Sequence, residues 1–268
     1  MDKIHELDVS TLPLNFFISV VASRRGGKSS LITSLLGEIQ QSKNKFDTII
    51  LFSSTDAGFE DIEEHYRFKD LSYLDTILEK MKQIKEVNKS LDKNFIKARI
   101  CIILDDMAFN TTGNDSLQRN KTLLELALNG RHLNNSEIKN LKNGISVILI
   151  SQTLKSINKS IRLNCDLMMC NLITNRIERN DILDEYFYIK SDPKSMKIGK
   201  SLYDDIVRSK PYRFLVIERY KSNKRELEDY ISYYDAKIDD KGKMKYKICN
   251  CNETFKKCTN KPKLIKFS

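Results

Sequence analysis

The chain has 268 residues, 40% of them hydrophobic and 31% charged, with six cysteines and no tryptophan. That length supports one large α/β domain or two small ones whose core forms without disulfide staples. With a mean hydropathy of −0.44, the composition excludes a membrane protein and a chain disordered throughout. The formal net charge is +10, but residues 241–268 hold nine lysines against Glu253 alone, so the rest of the chain is nearly balanced.

In chain order, the first apolar stretch runs from Leu12 to Ala22. Asp2, Glu6 and Asp8 precede it where a secretion signal is basic, so it reads as the approach to a buried strand. Apolar, β-rich runs at Phe16–Ala22, Thr48–Phe52, Ile100–Leu104, Ile145–Ile150, Asp166–Leu172 and Arg213–Ile217 predict six strands. Helix-period stretches lie between them. Leu71, Leu74, Leu78, Met81 and Ile84 recur at three- and four-residue steps, and Leu117, Leu124, Ala127 and Leu128 form a second such face. Buried strands alternating with amphipathic helices predict an α/β fold with a mainly parallel central sheet flanked by helices. No repeat or flexible linker interrupts the pattern, which gives one main domain over residues 1–235 and a basic, flexible tail over residues 236–268.

The cysteines fit a reducing compartment. Cys101, Cys165 and Cys170 sit within apolar segments and read as core residues. Cys249, Cys251 and Cys258 could supply three thiolates to zinc, but no fourth cysteine or nearby histidine completes a tetrahedral set.

The first strand ends in Ala22-Ser23-Arg24-Arg25-Gly26-Gly27-Lys28-Ser29, a phosphate loop with alanine at the first glycine position. Gly26 and Gly27 permit close backbone approach to phosphate oxygens, and the N–H groups of the turn and of the helix N-terminus, through Ser30, present partial positive charge. Lys28 is placed to reach the β- and γ-phosphates of ATP, and the Ser29 hydroxyl to ligate Mg²⁺. Ser23, Arg24 and Arg25 complete the candidate nucleotide contacts.

A second element answers the first. Ile100 to Leu104 is a buried-strand run ending in Asp105 and Asp106, which assigns Asp105 to Mg²⁺ and Asp106 to polarising the attacking water. About seventy residues separate Ser29 from Asp105 and contain the strand Thr48–Phe52. That spacing fits a sheet with a strand inserted between the two motif strands, the layout of P-loop ATPases with an additional catalytic acid. It fits less well small-molecule kinases, whose motif strands lie side by side. A further strand ends in Ser151-Gln152-Thr153, placing Gln152 where ligands of open α/β sheets gather, as a candidate sensor of the γ-phosphate. Gly130-Arg131-His132 follows a helix end, and Arg131 is either a surface arginine favoured by the helix dipole or a finger inserted into a neighbouring subunit's site. His132 reads as a packing residue.

Together ASRRGGKSS, IILDDM, GRHLN and ISVILISQT resemble the DNA-packaging ATPases of poxviruses, other nucleocytoplasmic large DNA viruses and their virophages, within the HerA/FtsK superfamily. The resemblance spans roughly residues 14 to 220. It implies a RecA-like ASCE motor domain, working as a homo-oligomeric ring of five or six subunits, that pumps double-stranded DNA into a preformed capsid with ATP and Mg²⁺. It further implies a capsid component as partner, no membrane, and a location in the viral factory of the host cytoplasm and in the virion. By this resemblance Lys28 and Ser29 match the first motif, Asp105 and Asp106 the second, Gln152 the sensor and Arg131 the arginine finger. Ala22 departs from the usual glycine, and Asp106 stands where cellular relatives often carry glutamate. Lysine outnumbers arginine 33 to 13, which suits non-specific neutralisation of DNA phosphates better than base reading. Two other classes remain open on the residues alone: a monomeric nucleotide or nucleoside kinase, and an adaptor that binds ATP and DNA without hydrolysis.

Overall fold

All six apolar runs form strands, because their continuous β-branched and aliphatic side chains are buried on both faces of one sheet. The computed structural model describes residues 4–55, 59–91, 94–107, 120–133, 141–187, 193–221, 229–239, 243–246 and 248, without the side chains of residues 131, 132 and 193–196. The elements in order are β1 (Phe17–Val21), α1 (Lys28–Gln41), β2 (Thr48–Ser53), β3 (Arg67–Phe68), α2 (Tyr73–Lys89), β4 (Arg99–Asp105), α3 (Lys121–Asn129), β5 (Gly144–Ser151), α4 (Lys159–Asn164), β6 (Leu167–Cys170), α5 (Arg176–Tyr186), α6 (Pro193–Arg208), β7 (Arg213–Glu218) and β8 (Ile231–Asp235). The sheet has eight strands in the order β3-β2-β4-β5-β1-β6-β7-β8. Strands β3 through β6 run parallel, while β7 and β8 each pair antiparallel to their neighbour.

The strand between the two motif strands is β5. It pairs with β1 from Phe17↔Val147 to Val21↔Ser151 and with β4 from Arg99↔Gly144 to Asp105↔Ile150. The strand Thr48–Ser53, although it lies between the motifs in sequence, sits outside β4. This register brings the ends of β1, β4, β5 and β6 to one edge of the sheet, the edge where open α/β folds bind ligands.

Helix starts follow local chemistry. The Asn120 side chain accepts the Leu123 N–H at 2.8 Å to begin α3, and Asn175 accepts the Ile177 N–H at 2.9 Å to begin α5. In α2 the expected face buries Leu74, Leu78 and Met81, joined by Ile77. Leu117 lies outside the described residues. Cys101, Cys165 and Cys170 are buried in the core, while Cys249, Cys251 and Cys258 lie outside the described residues.

Residues near the N-terminus pack on β8. Leu7 donates its N–H to the Tyr233 carbonyl at 2.7 Å and Tyr233 returns one to His5 at 3.1 Å, covering the edge strand. Packing also continues past the expected domain boundary at residue 235. Lys237 donates its backbone N–H to Ser34 Oγ of α1 at 2.7 Å, Ile238 bridges Met244, and Ile248 is buried. The Tyr246 Cβ would lie 2.2 Å from a β-carbon on Gly37, so only glycine at this point of α1 admits the returning chain. The first part of the segment read as a flexible tail is therefore docked on α1, through the contact of Tyr246 with Gly37 and of Lys237 with Ser34. Residues 249–268 lie outside the described residues.

Candidate active site

The loop after β1 has the backbone of a phosphate cradle. The Ala22 N–H still bonds the Ser151 carbonyl at 3.2 Å, then Gly26 donates to the Ser23 carbonyl at 2.9 Å to close the turn. Arg25 and Gly27 adopt left-handed backbone angles, φ 62° and 79°, and Gly27 is the residue from which α1 starts. These angles turn the N–H groups at the start of α1, which have no intrahelical acceptors, toward the loop interior. A β-carbon on Gly27 would approach Tyr212 Cδ1 to 2.7 Å, so glycine is required there by conformation and by space alike. Asn171, at the tip of β6, donates from Nδ2 to the Gly26 carbonyl at 2.9 Å, and Ser23 Oγ donates to the Leu172 carbonyl at 3.4 Å, pinning the loop from the β6 side.

Lys28 stands at the mouth of this loop. Its Nζ donates to the Ala22 and Ser23 carbonyls at 3.0 and 3.1 Å. Burial pulls its pKa down from the usual lysine value, and the charges of Asp106 and Asp105 pull it back up. The reciprocal effect appears at Asp105, whose carboxyl is pushed up to about 6 by burial first and by Asp106 second, with Lys28 opposing. The three charges therefore share one partly desolvated space at the ends of β1 and β4. Asp106 itself has left-handed backbone, φ 49°, which an aspartate tolerates better than most residues. Gln152 at the tip of β5 donates from Nε2 to Asp106 Oδ2 at 2.8 Å. On the other flank, Ser54 Oγ donates to the Asp106 carbonyl at 3.4 Å, so Asp106 is held from the β2 and β5 sides together.

The structure thus brings together Ser23, Gly26, Gly27, Lys28, Asp105, Asp106 and Gln152. Ser29 is exposed and Ser30 half-buried in the first turn of α1. A hydroxyl from Ser29 and a carboxylate from Asp105 are hard oxygen donors, and one or two carboxylates with substrate phosphates are the set Mg²⁺ takes. The donor chemistry fits Mg²⁺–ATP. Among the described residues no group of three histidine, cysteine or acidic side chains forms a metal cage. Arg24 and Arg25 are exposed. Gly130–Leu133 forms a short 3-10 turn against β5 and α2, but the side chains of Arg131 and His132 lie outside the described residues. Two neighbours of the loop escape sequence reading: Asn171, a polar residue at a strand tip by the same rule that singles out Gln152, and Tyr212, brought over Gly27 by the antiparallel return of β7.

Because β5 separates β1 from β4, the site has the layout of ATPases with an additional acid and lacks the adjacent motif strands of small-molecule kinases. No protein-family model and no curated protein matches the chain by sequence. Solved structures do match it. The genome packaging NTPase B204 from Sulfolobus turreted icosahedral virus 2, in complex with sulfate, superposes with a TM-score of 0.53 at 16% identity, covering 85% of this chain and 100% of that one. The fold is that of a RecA-like P-loop ATPase. The same NTPase in complex with AMPPCP gives 0.52 at 14% identity over 84% and 98% of the two chains. ATPases 2 and 3 of EssC from Geobacillus thermodenitrificans give 0.51 at 15% identity, over 84% of this chain and 40% of that one.

Proposed function

We propose that the chain is an ATP-driven motor that translocates double-stranded DNA, and that its task is to package a viral genome into a preformed capsid in the host cytoplasm. The observation that supports this reading best is the extent of the structural likeness, which takes in the whole of a genome packaging NTPase. Mg²⁺–ATP supplies a γ-phosphate activated for attack by water. Around it, Lys28 and the backbone N–H groups from Gly26 to Ser30 would bind the phosphates, and Ser29 and Asp105 would hold the metal. Gln152 occupies Asp106 Oδ2, which leaves Oδ1 to align the water and accept its proton. Arg131 would act across a subunit boundary in a homo-oligomeric ring of five or six chains, and lysines of residues 249–268 would hold DNA phosphates without reading sequence.

The test is steady-state ATP hydrolysis over a protein concentration series, with and without long double-stranded DNA. The wild type is expected to turn over faster with DNA and faster per subunit as concentration rises, and Lys28→Ala, Asp106→Asn and Arg131→Ala to lose 10²-fold or more, about the cost of removing a transition-state contact. Full activity in Lys28→Ala would overturn the site, and turnover indifferent to DNA and concentration would overturn the motor.

A further inference from the structure

The nucleotide reading leaves one side of the site without a role. The γ-phosphate end is defined by Asp105, Asp106 and Gln152, which lie at the tips of β4 and β5, on one side of β1. A triphosphate is a linear chain, so with its γ-phosphate toward β4 and β5 its nucleoside would extend to the opposite side of the loop, toward β6 and β7, which follow β1 in the strand order. Beside Asn171 and Leu172, the aromatic residue found there against the loop is Tyr212. Its ring packs on Gly27, close enough that a β-carbon at position 27 would lie 2.7 Å from Cδ1 and 3.3 Å from Cε1, yet the residue is 46% exposed. One edge of the ring thus braces the loop while much of its surface faces outward.

The chain also fixes this tyrosine in place against its local preference. Tyr212 has φ 58°, a left-handed conformation that a bulky residue adopts only when its surroundings enforce it, and such residues concentrate at ligand sites. The Ala236 N–H bonds the Tyr212 carbonyl at 3.1 Å, and Arg213 makes a two-pronged pair with Asp235 at 2.7 and 2.8 Å while lying 3.9 Å over the Tyr233 ring. β7 and β8 are thereby locked immediately beside the residue. Holding a half-exposed aromatic ring in a strained backbone next to a phosphate loop contributes little to the core.

We propose that Tyr212 is the stacking platform for the base of the bound nucleotide. This rests on the nucleotide-site reading above and names the part of the ligand that β7 recognises. An aromatic face binds any base through its π-surface and leaves hydrogen-bond readout aside. Tyr212 is therefore a binding residue for the base, and a side chain that keeps the contact with Gly27 but lacks the π-face leaves the affinity for the phosphates alone unchanged.

The experiment compares Mg²⁺–ATP with inorganic tripolyphosphate, measured by calorimetry on the full chain. Tyr212→Leu, which retains an apolar contact with Gly27 but removes the π-face, is expected to weaken ATP by about fivefold or more while leaving tripolyphosphate unchanged, and Tyr212→Phe to bind both as the wild type does. Because the chain has no tryptophan, Tyr212→Trp gives a single fluorescent reporter in the same place. Its emission is expected to change with ATP and to stay constant with tripolyphosphate. Equal loss of both ligands in Tyr212→Leu would show that the ring only supports the loop, and an unchanged ATP affinity with tripolyphosphate binding intact would remove it from the site. If the wild type binds tripolyphosphate and ATP equally, the phosphates are held but the base is not stacked. If the wild type binds neither, the nucleotide site itself is refuted and the platform with it.

Discussion

At Asp105, burial outweighs the attraction of Lys28, and the carboxyl titrates near 6 where an exposed aspartate titrates at 3.8. Because the folded form binds its proton more tightly than the unfolded chain does, this group subtracts nothing from stability below about pH 4. Its cost grows as pH rises and is complete above about pH 6. In the absence of metal, Asp105→Asn is therefore expected to raise the melting temperature at pH 7.5 and to lose that advantage toward pH 4, while abolishing ATP turnover. Equal melting temperatures of the two proteins at pH 7.5 in the presence of a chelator would contradict the burial argument. Most of this site is legible in sequence, since a glycine-lysine turn after an apolar strand and a carboxylate pair after another depend on local order. Gln152 is legible as a strand tip, but its bond to Asp106 is not, because it depends on the left-handed turn at Asp106 and on β5 lying beside β4. Tyr212 is invisible for a similar reason: only the pairing of β7 with β6 carries it to the loop.

Among the elements, the buried parallel strands are read correctly from their continuous apolar runs, and the two missed ones show where that rule ends. β3 is two residues long, Arg67 and Phe68, and leaves no pattern. β8 mixes Ile231 and Tyr234 with Ser232, a buried hydroxyl donating to Glu218 at 2.9 Å. Glu218 lies on another strand, and without it Ser232 reads as solvent-facing. The docked segment after β8 escapes for the same reason, because lysines at 237, 243 and 245 mask the anchoring by Tyr246 and Ile248. Alanine is a better helix former than glycine by about 1 kcal/mol, yet Gly37→Ala is expected to lower the melting temperature, since its new methyl meets Tyr246 Cβ and overpacking costs about 1–3 kcal/mol. A higher melting temperature in that variant would show that the segment does not pack on α1.

For the whole molecule, the main body is nearly balanced in charge and the lysines gather toward the C-terminal end. Lys256, Lys257, Lys261, Lys263 and Lys266 stand against Glu253 in residues 249–268, and in the proposed DNA complex each phosphate they neutralised would release counterions. Removing residues 249–268 spares the docked segment and is expected to make the slope of log affinity for double-stranded DNA against log salt shallower by up to about 4. An unchanged slope would place the DNA contacts on the main body. The same sheet that brings Asp106 and Gln152 to the tips of β4 and β5, beside the phosphate loop after β1, ends in β8, where Glu6 bridges Tyr233 and pairs with Lys237.

Translocation is read out by displacement of a third strand from a triplex at the end of a long DNA duplex. The wild type is expected to release that strand with Mg²⁺ and ATP but not with a non-hydrolysable analogue, and Asp106→Asn is expected not to release it with ATP. ATP hydrolysis by the wild type on the same DNA without release of the strand would contradict translocation.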